Sequence, residues 1–343
     1  MTESHRRRAL GFLPAAAVLG ISGCAMERSG LNPAGPAARD LFRLGAPILF
    51  GFVVVSLVMW GLLVWVAMRR TGNLEEHAPA TAAGGESWIA VGGFAIPALA
   101  FAAVFVATLR TMAAFPMHAP VHEGDHPDIL VTGRQWWWEV QYRIGPEDGW
   151  IRTANEIHIP AGRPVEIGLQ STDVIHSFWV PRLHGKVDLV PGFTNTIRVQ
   201  ADRPGIFPGE CAEFCGMEHA RMRFVVVAEN PAKFDAWMAH ERAPALEGGT
   251  PPATRGATVF QGAACPVCHT VRGTPAEGTV GPELTHLASR LTIGAGTFPL
   301  DVAILHGWVS DAPSLKPGTR MPRLTQFSGE ELGDLVAYLQ SLR

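Results

Sequence analysis

Two stretches of this chain, 44–68 and 88–109, contain no charged residue. Each is longer than the ~20 apolar residues that an α-helix needs to cross about 30 Å of hydrocarbon. A chain with two such runs is held in a membrane, and everything else must fold on one side of it or the other. Trp60, Trp65 and Trp88 lie at or towards the ends of the runs, where indole rings anchor at the interface. Pro97 falls inside the second run, where a neighbouring helix can compensate for a kink. These runs also account for a charged fraction of 17%, below the roughly 25% of ordinary soluble proteins. Gly and Pro are abundant, at 37 and 27 residues, which argues for many turns and against a coiled coil. The net charge of −3 offers no polyanion-binding surface, so nucleic acid is not expected as a partner.

The N-terminus reads as an address. Arg6, Arg7 and Arg8 precede a mostly apolar stretch, 9–22, too short to span as a mature helix. Ile21-Ser22-Gly23-Cys24 resembles a bacterial lipobox. The resemblance implies that 1–23 is a lipoprotein signal peptide and that the mature chain starts at Cys24, carrying a diacylglycerol outside the cytoplasmic membrane. Residues 24–43 then form an N-terminal segment, and 44–110 a transmembrane hairpin. Arg69 and Arg70 lie in the short loop, against Arg28, Arg39, Arg43 and Arg110 on the other side. The positive-inside count therefore opposes this orientation. The signal peptide and the haem motif described below outweigh it, and the loop is expected on the cytoplasmic side.

Beyond the hairpin the pattern changes. Short β-rich runs at 129–132, 156–159, 165–170, 174–180, 196–199 and 224–227 are punctuated by Pro160-Ala161-Gly162 and Pro191-Gly192. This rhythm predicts an all-β sandwich or barrel within 111–242. Its last loop places Cys211, Cys215, His219 and Met222 within twelve positions, and His176 lies upstream on a predicted strand. Thiolates, imidazoles and a thioether suit copper. A mononuclear blue-copper site needs one Cys, two His and a weak axial Met, which leaves a thiol over. Two thiolates can instead bridge two ions, each completed by one His, with Met222 and a backbone carbonyl as weaker ligands. A Cys2His2 zinc site would leave Met222 idle, a Cys211–Cys215 disulfide is compatible with an oxidising compartment, and Met222 alone could be plain core.

Asp173-Val174-Ile175-His176-Ser177-Phe178-Trp179-Val180-Pro181 and the 211–222 loop resemble cytochrome c oxidase subunit II, a cupredoxin domain behind a two-helix hairpin. The resemblance covers roughly 44–241. It implies a dinuclear copper centre held by His176, Cys211, Glu213 (through its carbonyl), Cys215, His219 and Met222. It also implies a magnesium or manganese ion at the carboxylate of Glu213, shared with the catalytic subunit. Quinol-oxidising relatives lack the copper ligands, so that branch is disfavoured. Gly133-Arg134-Gln135-Trp136-Trp137-Trp138 resembles the family's aromatic patch where electrons arrive, with Trp136 as the gateway. Strand alternation would put Trp136 and Trp138 on one face and Trp137 on the other; a two-sided aromatic core strand is the competing reading.

The C-terminal part is a second redox module. Residues 231–242 read as a helix, 243–254 as a linker, and Cys265-Pro266-Val267-Cys268-His269 as the attachment motif of a covalent haem c. The linker could reach at most ~40 Å. As a flexible coil it would average nearer ~20 Å, holding the domains at an effective concentration on the order of mM. Residues 255–262 are the expected preceding helix. An amphipathic final helix is expected over 328–342, with Leu332, Leu335, Val336 and Leu339 along one side. Residues 255–343 resemble a small all-α monohaem cytochrome c. In that resemblance Met321, in Lys316-Pro317-Gly318-Thr319-Arg320-Met321-Pro322, supplies the sixth ligand, with His286 and His306 as competitors.

Together these imply a multidomain chain that receives electrons for a caa-type haem–copper oxidase in a bacterial cytoplasmic membrane, with both redox domains on the periplasmic side. Its partners would be the oxygen-reducing catalytic subunit, other oxidase subunits, and a soluble cytochrome c or the upstream respiratory complex as donor. No nucleophile or acid–base constellation appears, so oxygen chemistry is expected on another chain. The alternatives are the copper subunit of a nitric oxide or nitrous oxide reductase system, and a copper-delivery protein.

Overall fold

A computed structural model describes residues 28–69, 85–114, 127–145, 149–245 and 249–343. Cys24, the signal peptide and most of the loop between the spans lie outside the described residues.

The first apolar run lies in helix α1, Pro36–Arg69. The second comprises α2 (Gly85–Trp88), a π-helical stretch at Ile89–Ala95 and α3 (Ile96–Ala114). Their mean hydropathies are 2.5 and 2.3, and their apolar windows are unburied within the chain, as lipid-facing helices require. The π turn ends just before Pro97. Proline lacks an N–H and its ring crowds the carbonyl four residues back. The wider i→i+5 register there accommodates both effects without breaking the span.

The β domain is two five-stranded sheets. One has the order β3-β2-β1-β5-β8 and the other β4-β10-β9-β6-β7. The strands of the first are β1 Ile129–Arg134, β2 Trp137–Arg143, β3 Trp150–Ala154, β5 Val165–Ser171 and β8 Asn195–Val199. Those of the second are β4 Glu156–Pro160, β6 His176–Trp179, β7 Val187–Leu189, β9 Gly205–Cys211 and β10 Arg223–Glu229. Strand β1 is antiparallel to β2 and parallel to β5. Val131, Val140, Ile157, Ile159, Ile167, Leu169, Phe178 and Val226 fill the space between the sheets. Trp138 sits at the centre of this core, edge-on to Phe178 and Phe224 at centroid distances of 6.1 and 5.0 Å.

The tryptophan cluster departs from the expected alternation. Arg134 pairs with Trp137, so Gln135 and Trp136 form the tight turn between β1 and β2. Trp136 is therefore not on a strand and shares no face with Trp138. Trp138 is fully buried, and Trp137 is half-buried beneath the Arg134 guanidinium at 5.6 Å. The segment before α1 is also part of the sandwich surface. The Ala34 N–H donates to the Arg182 carbonyl at 2.7 Å. A Cβ at Gly35 would lie 2.3 Å from the Gln200 carbonyl oxygen, so only glycine allows this close approach.

Helix α4, Pro231–Arg242, packs Phe234, Trp237 and Met238 against the sandwich. Helix α5 runs over Pro251–Gly262, four residues earlier than expected, because Pro251 and Pro252 occupy its first turn, where no N–H partner is needed. The intervening connection is anchored: the Ala245 N–H donates to the Arg272 carbonyl at 3.0 Å, and the Ala243 carbonyl accepts from His286 Nε2 at 3.1 Å. A free tether is thus not what joins the domains, which cluster as one compact unit.

In the C-terminal domain α5 crosses α8, Gly329–Ser341, around Phe260, Leu335, Tyr338 and Leu339. Ser328 and Glu331 close a capping box at the start of α8, and Asp334 holds Arg255 through bonds of 2.6 and 2.7 Å. Gly256 makes the crossing possible, since a Cβ there would lie 1.9 Å from the Asp334 carbonyl oxygen. Gly256→Ala is expected to destabilise this domain by about 3 kcal/mol, because the helices must separate along their whole contact. Thermal unfolding followed in the haem absorbance band checks this, and an unchanged midpoint would contradict it. Between α6 (Cys265–Cys268) and α7 (Val302–Leu315) lies a small ribbon, β11 Thr292–Ile293 with β12 Phe298–Pro299, that the helical reading of this region did not anticipate.

Candidate metal and haem sites

Strand β9 ends at Cys211, and β10 begins just after Met222. The Cys211 N–H donates to the Met222 carbonyl at 2.9 Å and cinches the intervening loop at its base. Inside the loop Gly216 takes a φ of +114°, a conformation that side-chain-bearing residues rarely adopt, and a Cβ there would crowd the Trp136 ring at 3.0 Å. A 3-10 turn, His219–Arg221, then swings His219 and Met222 back towards the cysteines. On the facing edge, β6 opens with His176. A Cβ at Gly133 would lie 2.7 Å from the His176 ring, so that glycine leaves the imidazole its place.

The donors converge around two sulfurs. Cys211 Sγ is 3.8 Å from Cys215 Sγ, far beyond the ~2.05 Å of a disulfide, and both thiols are free and buried. The disulfide alternative is therefore not formed. Cys211 Sγ is 3.9 Å from His176 Nδ1 and 3.2 Å from the Glu213 carbonyl oxygen. Cys215 Sγ is 3.7 Å from His219 Nδ1 and 3.8 Å from Met222 Sδ. Each sulfur thus has its own imidazole and its own weak donor, and the two halves share the sulfur pair. A single blue-copper ion would leave one of the thiols in the middle of the site unused. Zinc in a Cys2His2 set would leave Met222, fully buried and aimed at Cys215, without a role.

Charge is tuned to match. The neighbouring Cys215 thiol, together with the His176 ring, holds the Cys211 thiol down to about 3. The shared proton and burial push Cys215 well up in turn. Burial works against protonation of His176, but its contacts with Cys211 and Asp173 outweigh this and raise its pKa. Once ionised, either thiol opposes ionisation of the other, and a metal bound here would displace the remaining thiol proton, since cysteine ligates as the thiolate. The orienting group is Asp173, three residues before His176. Its carboxylate accepts from His176 Nε2 at 2.8 Å and from the Gln135 N–H at 2.7 Å, which leaves Nδ1 facing the sulfurs. Motif reading missed Asp173 as a site residue, although it opens the quoted run. Trp136 Nε1 and Gln135 Nε2 both donate to the Cys215 carbonyl, at 3.0 and 2.8 Å. The indole is thus one hydrogen bond from the sulfur loop.

At the second site, α6 carries Cys265 and Cys268, and His269 follows in extended conformation. His269 Nδ1 is 2.7 Å from the Pro282 carbonyl oxygen, which fixes the ring proton on Nδ1 and frees Nε2 as a ligand. Burial lowers the His269 pKa and keeps the ring neutral, as a ligand must be. A Cβ at Gly281 would lie 2.6 Å from the His269 ring, so this glycine clears the ring's position. Met321 is half-buried in the loop between α7 and α8. Of its competitors, His306 is exposed on α7, and His286 uses Nε2 on the Ala243 carbonyl and lies 4.3 Å from the His240 ring.

A membrane-anchored cupredoxin-like domain with a two-sulfur donor cluster, fused to a c-type cytochrome domain, defines a class of respiratory electron carriers. The family described as cytochrome c oxidase subunit II, periplasmic domain, matches residues 146–229, and cytochrome c matches residues 253–343. Cytochrome c oxidase subunit 2 of Alkalihalophilus pseudofirmus is 34% identical over 339 residues, covering 97% of this chain and 96% of its own. Quinol oxidase subunit 2 of Bacillus cereus is 29% identical over 246 residues, covering 68% of this chain and 81% of its own. The solved periplasmic domain of subunit II of cytochrome oxidase from Bradyrhizobium japonicum is 28% identical, with a TM-score of 0.32. It covers 36% of this chain and 97% of that one. The chain belongs to the cytochrome c oxidase subunit II family, in the form that carries a cytochrome c domain at its C-terminal end.

Proposed function

We propose that this chain receives electrons from a donor at a covalent haem c, passes them to a dinuclear copper centre, and delivers them to the oxygen-reducing subunit of a terminal oxidase. The observation that carries this reading is the divided donor set: two sulfurs 3.8 Å apart, each with its own imidazole and weak ligand. In the proposed site His176, Cys211, Glu213 (through its carbonyl), Cys215, His219 and Met222 hold the copper, and Cys265, Cys268, His269 and Met321 hold the haem. The bound groups supply one-electron chemistry.

The chain's own residues supply rigidity and dryness. Asp173 and Pro282 fix the tautomer and angle of the two histidines. The buried thiols and Met222 exclude water from the copper site and keep its donors in place across a change of charge. Trp136, bonded to the Cys215 carbonyl, serves as the approach to copper. The Glu213 carboxylate is the proposed ligand of a magnesium or manganese ion at the contact with the catalytic subunit. Cys24 is the proposed lipid attachment point, with both redox domains on the periplasmic face of a bacterial cytoplasmic membrane. The donor is a soluble cytochrome c or the upstream respiratory complex.

Quinol-oxidising relatives share the overall likeness, but the soft donor set present here favours a copper centre. Isolation of the native complex tests the whole reading. A large haem–copper subunit that reduces oxygen is expected to co-purify. A partner that reduces a nitrogen oxide, or a chain that releases exchangeable Cu(I) in isolation, would contradict it.

A further inference from the structure

Lys316, at the end of α7, is almost fully buried at 2% exposure. Its ammonium donates to three backbone carbonyls: Trp136 at 3.0 Å, Arg221 at 2.9 Å and Gly294 at 3.0 Å. Two of these belong to the copper domain and one to the cytochrome domain. An ammonium has three N–H donors, so all are used, and no freedom is left in the geometry. Burial pushes its pKa down to about 8, which still leaves it charged at neutral pH.

Both ends of this contact lead to redox sites. Trp136 is bonded to the Cys215 carbonyl, and Arg221 directly precedes Met222. On the other side, Lys316 opens the loop that runs to Met321. That loop lies directly on the copper domain: a Cβ at Gly318 would be 2.9 Å from Met217 Sδ and 3.5 Å from the Trp136 ring. Arg320 donates to Gln135 Oε1 at 3.4 Å, and Arg221 returns a bond to the Leu315 carbonyl at 3.2 Å. A second contact holds the β11–β12 ribbon. Glu156 accepts from the Leu291 and Thr292 N–H groups at 2.6 and 3.0 Å, and the Arg223 N–H donates to the Ala295 carbonyl at 2.9 Å.

We propose that Lys316 is a positioning residue for electron transfer within this chain, clamping the Met321 loop onto the carbonyls of Trp136 and Arg221 so that the cytochrome and copper domains work in one docked arrangement. The proposal rests on the haem-to-copper reading above and replaces a tethered search with a fixed contact. Losing the ammonium removes a donor from all three carbonyls: that of Trp136 loses its bond to Lys316, and those of Arg221 and Gly294 are left to share the single Thr297 hydroxyl, at 3.0 and 2.7 Å.

The test uses the full chain in its complex, with both cofactors. Lys316→Met keeps an unbranched apolar stem, one atom shorter, and removes every donor. Amides that bond across the contact, those of Leu291, Thr292 and Arg223, are expected to exchange hydrogen about tenfold faster or more. Haem-to-copper transfer is expected to slow by about tenfold or more, with both spectra unchanged. Unchanged exchange and an unchanged rate would overturn the clamp. A second alteration needs no change at the contact: a flexible Gly-Ser insertion between Ala245 and Gly249. A clamped pair keeps the wild-type rate after insertion, whereas slowing would mean that the tether sets the encounter and would overturn the proposal. If unaltered protein showed no haem-to-copper transfer at all, the functional reading would fail, and the exchange measurement would still decide whether Lys316 clamps the domains.

Discussion

Cys215→Ser is expected to abolish the mixed-valence electron paramagnetic resonance signal, with hyperfine coupling to two copper nuclei, that the proposed dinuclear centre predicts. Cys215 is the sulfur against which His219 and Met222 are both set, at 3.7 and 3.8 Å. A serine hydroxyl stays protonated where a thiolate is needed and is a hard donor in a soft site. The bridge between two ions would be lost, and at most a single ion would remain with Cys211 and His176. Haem absorbance is expected to persist, because the two domains have separate hydrophobic cores. Copper delocalisation retained in this variant would contradict the two-sulfur assignment.

The second large effect concerns the haem. Each thiol of Cys265 and Cys268 is expected to add across a vinyl group of the porphyrin. A carbon–sulfur bond forms, the vinyl double bond becomes single, and the thiol proton ends on the adjacent carbon. The haem then stays on the polypeptide under denaturing conditions. In the double variant Cys265→Ala, Cys268→Ala no thioether can form, and denaturing electrophoresis is expected to show complete loss of haem stain from the chain. The intact mass is expected to fall by the haem as well as by the two sulfur atoms. Haem retained by the denatured double variant would show that attachment lies elsewhere.

Much of this was legible in the sequence, for a physical reason. The 211–222 loop carries four side-chain donors at short spacing, so local geometry nearly suffices to bring them together. The membrane runs show themselves by length and lack of charge. Helix α4 announced its start with Pro231, and α8 its face with Leu335 and Leu339.

Other features were not legible because they depend on pairing between distant segments. Strand β9 contains Gly205, Pro208 and Gly209, a composition that argues against a strand. The structure explains Gly209, since a Cβ there would lie 2.4 Å from the Phe224 ring. Trp136 looked like part of a strand because three tryptophans in a row mimic one, yet the hairpin turn falls on it. Lys316 carried no signal at all. A lysine next to a proline reads as a solvated loop, and only the fold shows three carbonyls arriving from positions 136, 221 and 294. Likewise, the Pro- and Gly-containing stretch after α4 read as a tether, whereas its first residues are bonded to the cytochrome domain through Ala243 and Ala245.

The most direct measurement is rapid photoreduction of the haem in the purified complex at several protein concentrations, with haem and copper absorbance followed together. Haem oxidation and copper reduction are expected to proceed with one shared rate constant that does not change with concentration and responds little to added salt, since no charged encounter limits it. A haem oxidation rate that rises in proportion to concentration, or haem oxidation without matching copper reduction, would contradict electron transfer from haem to copper within one chain.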